Sequence, residues 1–174
     1  MSVPPGTIPF NHTRPTPTRA EDPNTRLQEG QYGTSVPAVA DRVAQTVVAR
    51  HLMRWVEPVF HSDSYGYRPG RSALDAVGKC RERCWKRNWV VELDIQKFFD
   101  SVPWGLLLKA VDAHTDATWV KLYVRRWLAA PLVMPDGLLV ERERGTPQGA
   151  PVSPVLANLF LHVCHERWRG VGCR

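Results

Sequence analysis

The sequence has few cysteines and no long hydrophobic run. Its four cysteines are Cys80, Cys84, Cys164 and Cys173, and because they form no Cys-x-x-Cys pair, the spacing argues against a cysteine-based zinc site. No apolar stretch is long enough to cross a bilayer. Prolines interrupt the first residues, which therefore lack the apolar core of a signal peptide. These absences predict a chain of the reducing cytoplasm with no membrane partner.

Acidic residues are outnumbered by basic ones. The chain has 17 Asp and Glu residues against 23 Lys and Arg residues, a formal net charge of +6 and a pI near 9.5. This surplus favours a polyanionic partner, RNA or DNA, although a basic surface also occurs in proteins without one. The length of 174 residues and the hydrophobic content of 43% are enough for one domain with a core.

Composition divides the chain into three parts. Residues 1–35 hold many prolines and show little periodicity, so we predict an irregular or disordered arm. Residues 36–168 carry the periodic patterns of a folded domain. Residues 169–174 are rich in glycine and have no period, which predicts a truncated or altered tail.

The first periodic segment predicts an amphipathic helix over residues 37–56. The apolar residues expected to face the core are Ala40, Val43, Ala44, Val47, Val48, Leu52, Trp55 and Val56. A second face carries basic residues at intervals of one helical turn, a pattern typical of a solvated surface and equally suited to RNA: Arg42, Arg50 and Arg54.

The remaining segments predict a mixed α+β fold. Ser72 and Asp75 resemble a capping box that opens a helix. Apolar alternation makes 89–95 the best candidate for a β-strand. Further predicted elements are helices over 73–85, 103–113 and 116–129, a hairpin over 131–141, and a last helix that starts at Ser153-Pro154.

Two segments hold the residues best suited to chemistry. Residues 92–100 read ELDIQKFFD and place Asp94 at the end of the predicted strand, where a carboxylate can hold Mg²⁺. Residues 144–154 read RGTPQGAPVSP, in which Gly145 and Gly149 allow backbone to approach a base pair and Gln148 offers both a donor and an acceptor. Alone, Asp94 could be an ordinary strand-end residue and Phe99 a core residue. The presence of residues 144–154 at this distance downstream of Asp94 argues against that interpretation.

With these motifs the chain resembles the reverse transcriptase part of group II intron-encoded proteins, the bacterial RNA-directed DNA polymerase/maturases. The resemblance is collinear over 36–161 and is carried by VPAVADRVAQ at 36–45, SYGYRPGRS at 64–72, LD through FFDSV at 93–102, and RGTPQG through PVLANL at 144–159. It implies reverse-transcriptase fingers and an incomplete right-hand palm, helix-rich with a small antiparallel sheet. A retron-type reverse transcriptase is the alternative branch, and the run at 64–72 favours the group II branch.

The resemblance also implies site residues. Asp94 would be the catalytic ligand of Mg²⁺, and Phe99 a steric gate against a ribonucleotide. Residues implied to contact the incoming dNTP or the template path are Ile95, Phe99, Gln148, Gly149, Arg68 and Arg71. Residues predicted to contact an RNA template or intron RNA are Tyr67 and the basic residues of the helix over 37–56, Arg42, Arg50 and Arg54.

The sequence also departs from the family pattern. Residues 31–36 read QYGTSV in place of the family's usual run before this helix, and the helix after 159 is not followed by the Tyr-Ala-Asp-Asp box that supplies further carboxylates. One carboxylate does not hold two metal ions, so we expect this chain to be inactive alone. Three alternatives stay open: a non-catalytic RNA-binding module, one half of a split enzyme with a C-terminal partner fragment, and a degraded remnant.

Overall fold

The computed structural model describes residues 18–20, 35–133, 138–147 and 149–172. The described part is rich in helix and also contains four short strands. The helices are α1 (Val39–Val56), α2 (Ala73–Cys84), α3 (Phe98–Ser101), α4 (Trp104–His114), α5 (Thr118–Ala129) and α6 (Ser153–Gly172), with a 3₁₀ turn at Glu57–Val59. The strands are β1 (Thr18–Ala20), β2 (Ser35–Val36), β3 (Leu132–Val133) and β4 (Leu139–Val140).

Four helices enclose the hydrophobic core. Helix α4 packs against α5 and α6, and α1 packs against α4 and α6. Their inward faces meet through side chains that are fully buried, among them Leu52, Leu107, Val124 and Leu159. Burial of such side chains contributes roughly 1.5–3 kcal/mol each. The two predicted helices in the middle of the chain are confirmed as α4 and α5.

Helix α1 buries part of the apolar set that the sequence predicts to face the core. The buried row is Gln45, Val48, Leu52 and Val56, so three of the predicted residues are confirmed. Val43, Val47 and Trp55 are instead 61%, 53% and 61% exposed. Apolar residues occur around most of α1, and only a face of limited width meets its neighbours, so the periodicity predicts a wider apolar face than the one that is buried.

The predicted strand over 89–95 is wrong. This segment has no regular secondary structure and its side chains are exposed, with Trp89 at 90% and Leu93 at 89%. A strand obtains its hydrogen bonds from a neighbouring strand. Within the described residues, the four strands pair only with one another, so the segment 89–95 has no neighbouring strand among them.

The sheet is small and mixed, in the order β2-β1-β3-β4. The predicted hairpin is confirmed by the antiparallel pairing of Leu132 with Val140 and of Val133 with Leu139, while its predicted turn lies outside the described residues. Strands β1 and β3 are parallel, so the expectation of a purely antiparallel sheet is wrong. Strand β1 also shows that residues 18–20 of the predicted arm are ordered as a strand.

Two predictions concern helix ends, namely the start of α2 and the end of α6. The capping box of α2 is confirmed: the Asp75 amide donates to Ser72 Oγ at 3.2 Å, and the Ser72 amide donates to Asp75 Oδ2 at 2.9 Å. Ser72 Oγ also donates to Asp75 Oδ2 at 2.7 Å, and this bond, followed by that from the Ser72 amide, lowers the pKa of Asp75. Helix α6 continues through Gly172, so the predicted change of structure at 169 is not seen in the backbone.

No helix in the described part of the chain combines the length and apolarity needed to cross a membrane.

Candidate functional site

The two chemistry-bearing segments meet through their backbones. The Gly145 amide donates to the Val102 carbonyl at 2.8 Å, and the Thr146 amide donates to the Phe99 carbonyl at 2.6 Å. Trp104 adds a side-chain bond, since its Nε1 donates to the Gly145 carbonyl at 2.6 Å. Residues separated by more than forty positions are therefore joined, and the loop that begins at Gly145 lies directly beside Phe99.

This contact requires glycine at position 145. Gly145 has φ of +82°, a conformation that side chains disfavour. A Cβ built there would lie 2.8 Å from the Phe99 carbonyl oxygen and 2.9 Å from both Cα and the carbonyl oxygen of Asp100. All three atoms belong to the backbone and have no rotamer through which to move away.

The joined segments form one wall of a cavity of about 460 Å³. Three residues predicted from the sequence line it together: Tyr67, Phe99 and Gly149. Ser153, at the start of α6, also lines the cavity, and its Oγ donates to the Pro147 carbonyl at 2.6 Å. The cavity thus collects residues from the 64–72 loop, from α3 and from the 144–154 segment.

Phe99 is held from behind by aromatic packing. Its ring meets the ring of Phe98 edge to face, with centroids 5.6 Å apart. Phe98 in turn lies 6.2 Å from Phe160 on α6. Phe99 itself is half-buried, so one part of its ring packs while another faces the cavity.

The 64–72 loop is attached to the helical core at two points. Asn158 on α6 donates its Nδ2 to the Gly66 carbonyl at 2.8 Å. The second point is Arg68, which is 8% exposed. Tyr67, between these attachments, has φ of +55° and is 69% exposed, so its ring projects away from the core.

Arg68 differs from its sequence-based interpretation as a ligand contact. A guanidinium has five N–H donors, and the structure gives Arg68 five internal hydrogen bonds. Nε and Nη2 donate to Glu57 Oε1 at 3.0 and 2.7 Å, and Nη2 also reaches the Glu57 carbonyl at 3.5 Å. Nη1 donates to the carbonyls of His61 and Ser64 at 2.7 and 2.8 Å. Arg68 therefore fastens the loop to the end of α1.

The other predicted residues lie outside the cavity lining. Arg71 is exposed, and its guanidinium lies 5.6 Å from the ring centroid of Tyr65. Arg42, Arg50 and Arg54 are exposed on α1. Gln148 lies outside the described residues.

The described residues do not fit a two-metal centre. Asp94 and Ile95 lie in the exposed segment 89–95, away from a strand end. Among the residues that the structure describes, no three Asp, Glu, His or Cys side chains are grouped so as to hold a metal ion. Mg²⁺ in polymerase-type sites takes one or two carboxylates together with substrate phosphates, and Asp94 is the one candidate carboxylate that the sequence offered.

A family model described as reverse transcriptase (RNA-dependent DNA polymerase) matches residues 28–173. The match includes the joined segments, the cavity and the whole of α6 up to residue 172. The chain belongs to the reverse transcriptase family.

Individual relatives narrow the branch of the reverse transcriptase family to which the chain belongs. It is 34% identical to protein YkfC of Escherichia coli over 149 residues, covering 76% of this chain and 37% of YkfC. It is 30% identical to the group II intron-encoded protein LtrA of Lactococcus lactis over 127 residues, covering 73% of this chain and 21% of LtrA. A 91 kDa protein in the cob intron of Schizosaccharomyces pombe is 32% identical, with 79% and 17% covered. The resemblance to group II intron-encoded proteins is confirmed, and the chain spans well under half the length of these relatives.

Sequence reasoning missed residues that hold the candidate site together. Trp104 donates a side-chain bond to the 144–154 segment, and Asn158 donates one to the 64–72 loop. Asn158 lies within a segment that carries the resemblance, which was the available signal. Trp104 follows a proline at a predicted helix start, and nothing in that pattern indicated a bond to a residue so distant in sequence.

Proposed function

We propose that this chain forms the fingers and the first part of the palm of a group II intron-type reverse transcriptase, and that the cavity lined by Tyr67, Phe99 and Gly149 receives the incoming deoxynucleotide. The observation that carries the proposal is the docking of Gly145 and Thr146 onto the Phe99–Val102 backbone. It brings the two segments with the strongest family resemblance to one cavity.

Phe99 would select the sugar in this cavity. Its ring is supported by Phe98 from behind and faces the cavity. A ribose placed over the ring would bring its 2′-hydroxyl against an apolar surface, where a hydroxyl without a hydrogen-bond partner loses roughly 1–3 kcal/mol. A deoxyribose has no such hydroxyl. The geometry therefore supports a preference for dNTP over NTP.

The arginines of the 64–72 loop would have different tasks. Arg71 is exposed and is the residue that we assign to the triphosphate or the template strand. Arg68 uses its five donors within the protein, so we assign it a positioning role for Tyr67. Gln148 is expected to line the same path beside Gly149.

RNA would bind along the exposed face of α1. Arg50 and Arg54 lie one helical turn apart and Arg42 precedes them, and all three are exposed. Together with the net charge of +6 they provide a surface for phosphates of a template or an intron RNA.

The 174-residue chain alone would not polymerise. Mg²⁺ supplies charge stabilisation and nucleophile activation in this family when it is bound, and Asp94 would be one of its ligands. The described residues bring no group of further ligands to Asp94. Further carboxylates brought beside Asp94 would complete the site, and the split-enzyme hypothesis assigns them to a separate polypeptide.

Nucleotide competition tests the proposed cavity. The chain is bound to a fluorescent RNA template annealed to a DNA primer, and binding of a labelled dNTP is competed with unlabelled dNTP or with the corresponding NTP. We expect the NTP to compete about tenfold less well, a difference of about 1.4 kcal/mol. Phe99→Ala should remove this discrimination, whereas Leu122→Ala, which alters an exposed side chain on α5, should retain it.

Two results would count against the proposal. Equal competition by dNTP and NTP in the unaltered chain would refute the selective role of Phe99. Primer extension by the chain alone would refute its predicted inactivity. A chain that binds RNA but no nucleotide would favour the second candidate, an RNA-binding module, for which the exposed arginines of α1 are the supporting observation. The degraded-remnant alternative predicts no cooperative thermal unfolding.

A further inference from the structure

The end of helix α2 carries tryptophans and cations in alternation. Residues 81–89 read RERCWKRNW and include four arginine or lysine residues. None of the residues of α2 is buried. Trp85 is 76% exposed and Trp89 is 90% exposed, which is unusual for the side chain with the largest apolar area. The proposed dNTP cavity and the α1 face use none of these residues.

Each of the two exposed tryptophan rings provides an aromatic platform. The guanidinium of Arg81 lies 4.8 Å from the ring centroid of Trp85, within the range of a cation–π contact. Trp89 lines a cavity of about 390 Å³ together with Tyr65. The same cavity is lined by Lys79, Arg83 and Arg87. Each platform is thus accompanied by positive charge.

The charge balance of this surface stays positive. Lys79 and Lys86 share the carboxylate of Glu82, at 2.8 and 3.1 Å, and these bonds lower the pKa of Glu82 to about 2. Arg83 pairs with Asp63 at 2.5 Å. Within the described residues, Arg81 and Arg87 have no carboxylate at ion-pair distance, so their charge is available to an anion from outside.

We propose that Trp85 and Trp89 stack bases of single-stranded RNA while Arg81 and Arg87 contact its phosphates. The inference rests on the proposed function in so far as that function makes RNA a partner. Exposed aromatic rings interleaved with cations are the elements that single-strand binding requires, because every base has a face that can stack and every nucleotide adds a phosphate. This site adds a single-strand contact beyond the α1 surface.

A protein partner would need a different surface. The apolar segment continues through Val90 and Val91, which favours protein contact, but it then reaches Glu92 and Asp94. The cations lie near Trp85 and Trp89, at the end of α2 and just after it. An apolar protein partner would have to bury these positive charges there without opposite charges to pair with them. The charge distribution therefore favours RNA at Trp85 and Trp89.

Fluorescence anisotropy with labelled RNA tests the proposal in the full chain. The probes are a single-stranded RNA of mixed sequence, roughly 12 nucleotides long, and a duplex RNA of the same length, a size that suits known single-strand footprints. The variants are Trp85→Ala and Trp89→Ala. Trp168→Ala is the comparison, because Trp168 is a tryptophan of similar exposure (73%) that lies on α6, outside residues 81–89. Circular dichroism and thermal melts establish that each variant is folded.

We expect each α2-side tryptophan variant to bind the single strand about fivefold or more weakly, since one stacked base contributes at least about this factor. Duplex binding and the control should be unchanged. Arg87→Gln should weaken single-strand binding and reduce the slope of log affinity against log salt concentration by about 0.7.

Several outcomes would overturn the site and each has a distinct meaning. If the tryptophan variants bind RNA as tightly as the unaltered chain, and binding is still lost when Arg50 and Arg54 are neutralised, this site is refuted. The proposed function is not refuted by that result. If the unaltered chain binds neither RNA, the RNA part of the proposed function fails as well. If Trp89→Ala leaves RNA affinity unchanged but abolishes self-association in sedimentation, the surface binds protein, and the proposal is wrong.

Discussion

Replacing Gly145 by alanine tests how the candidate site is assembled. The added Cβ would meet three backbone atoms of Phe99 and Asp100 at 2.8–2.9 Å. In addition, Gly145 has φ of +82°, where a residue with a side chain is strained. Either the 144–147 backbone moves away from α3, or the folded state is destabilised by both the steric clash and the backbone strain.

The size of the effect follows from these two terms. A left-handed backbone costs a non-glycine residue roughly 1–2 kcal/mol, and overpacking against atoms that do not yield costs roughly 1–3 kcal/mol. The sum is about 2–5 kcal/mol of unfolding free energy. For a chain of this length, each kcal/mol lowers Tm by roughly 2–4 °C, so Tm should fall by at least about 4 °C.

The assay is thermal unfolding followed by circular dichroism, together with the dNTP competition described above. Gly78→Ala is the matched control, since a Cβ at Gly78 meets nothing within 4 Å. Gly78 lies inside helix α2, where alanine is favoured by up to about 1 kcal/mol. We therefore expect Gly145→Ala to melt earlier and lose dNTP binding, and Gly78→Ala to keep both. A Gly145→Ala chain with the Tm and dNTP affinity of the unaltered protein would refute the proposed docking.

Three further predictions concern the loop, helix α2 and pH. Arg68→Lys cannot replace five hydrogen bonds, so it should lower the unfolding free energy in urea by roughly 2–4 kcal/mol and expose the 64–72 loop to protease. Ser72→Ala removes the α2 cap and should cost about 1 kcal/mol of local stability, measured by amide hydrogen exchange in α2. His162 packs near Phe60 and His114, and burial is the main cause of its lowered pKa. Stability should therefore fall as pH drops below about 6.5, and His162→Phe should reduce this fall.

Each of these predictions has a comparison that would contradict it. For Arg68, an exposed arginine such as Arg125→Lys provides the baseline, and an equal effect of both changes would remove the positioning role. For Ser72, Ser72→Asp should retain the cap, and exchange in α2 unaffected by Ser72→Ala would exclude it. For His162, the sign follows from protonation of the unfolded state, which binds a proton at a higher pH than the folded state. A stability that rises as pH falls from about 6.5 would show the opposite shift.

Local sequence signals predicted those elements whose causes are local. The capping box at Ser72 and Asp75 formed as expected because its hydrogen bonds join residues three positions apart. Helices α4 and α5 lie where the apolar periodicity predicted them, and neither has a side-chain hydrogen bond at its N-cap. The β3–β4 pairing also followed from a local pattern, since a short turn limits the register of a hairpin.

Tertiary structure decided the features that depend on distant partners. The alternation at 89–95 did not become a strand in the described fold, because no neighbouring strand supplies its hydrogen bonds there. Val43 and Val47 on α1 are outside because the positions of α4 and α6 select the buried row. Arg68 binds within the protein because Glu57 lies at the end of α1, where its Oε1 is 2.7 Å from Arg68 Nη2.

The sequence by itself determined the family and the chemistry available to this protein. The motifs around Asp94, Phe99 and Gly145 supply a carboxylate, an aromatic ring and a residue without a side chain. These chemical groups define what a site can bind. Only the tertiary structure decided which of these residues meet: Phe99, Gly149 and Tyr67 line one cavity, and Asp94 is not among its lining residues. The reason is physical, since side-chain chemistry belongs to single residues whereas proximity depends on the packing of helices distant in sequence.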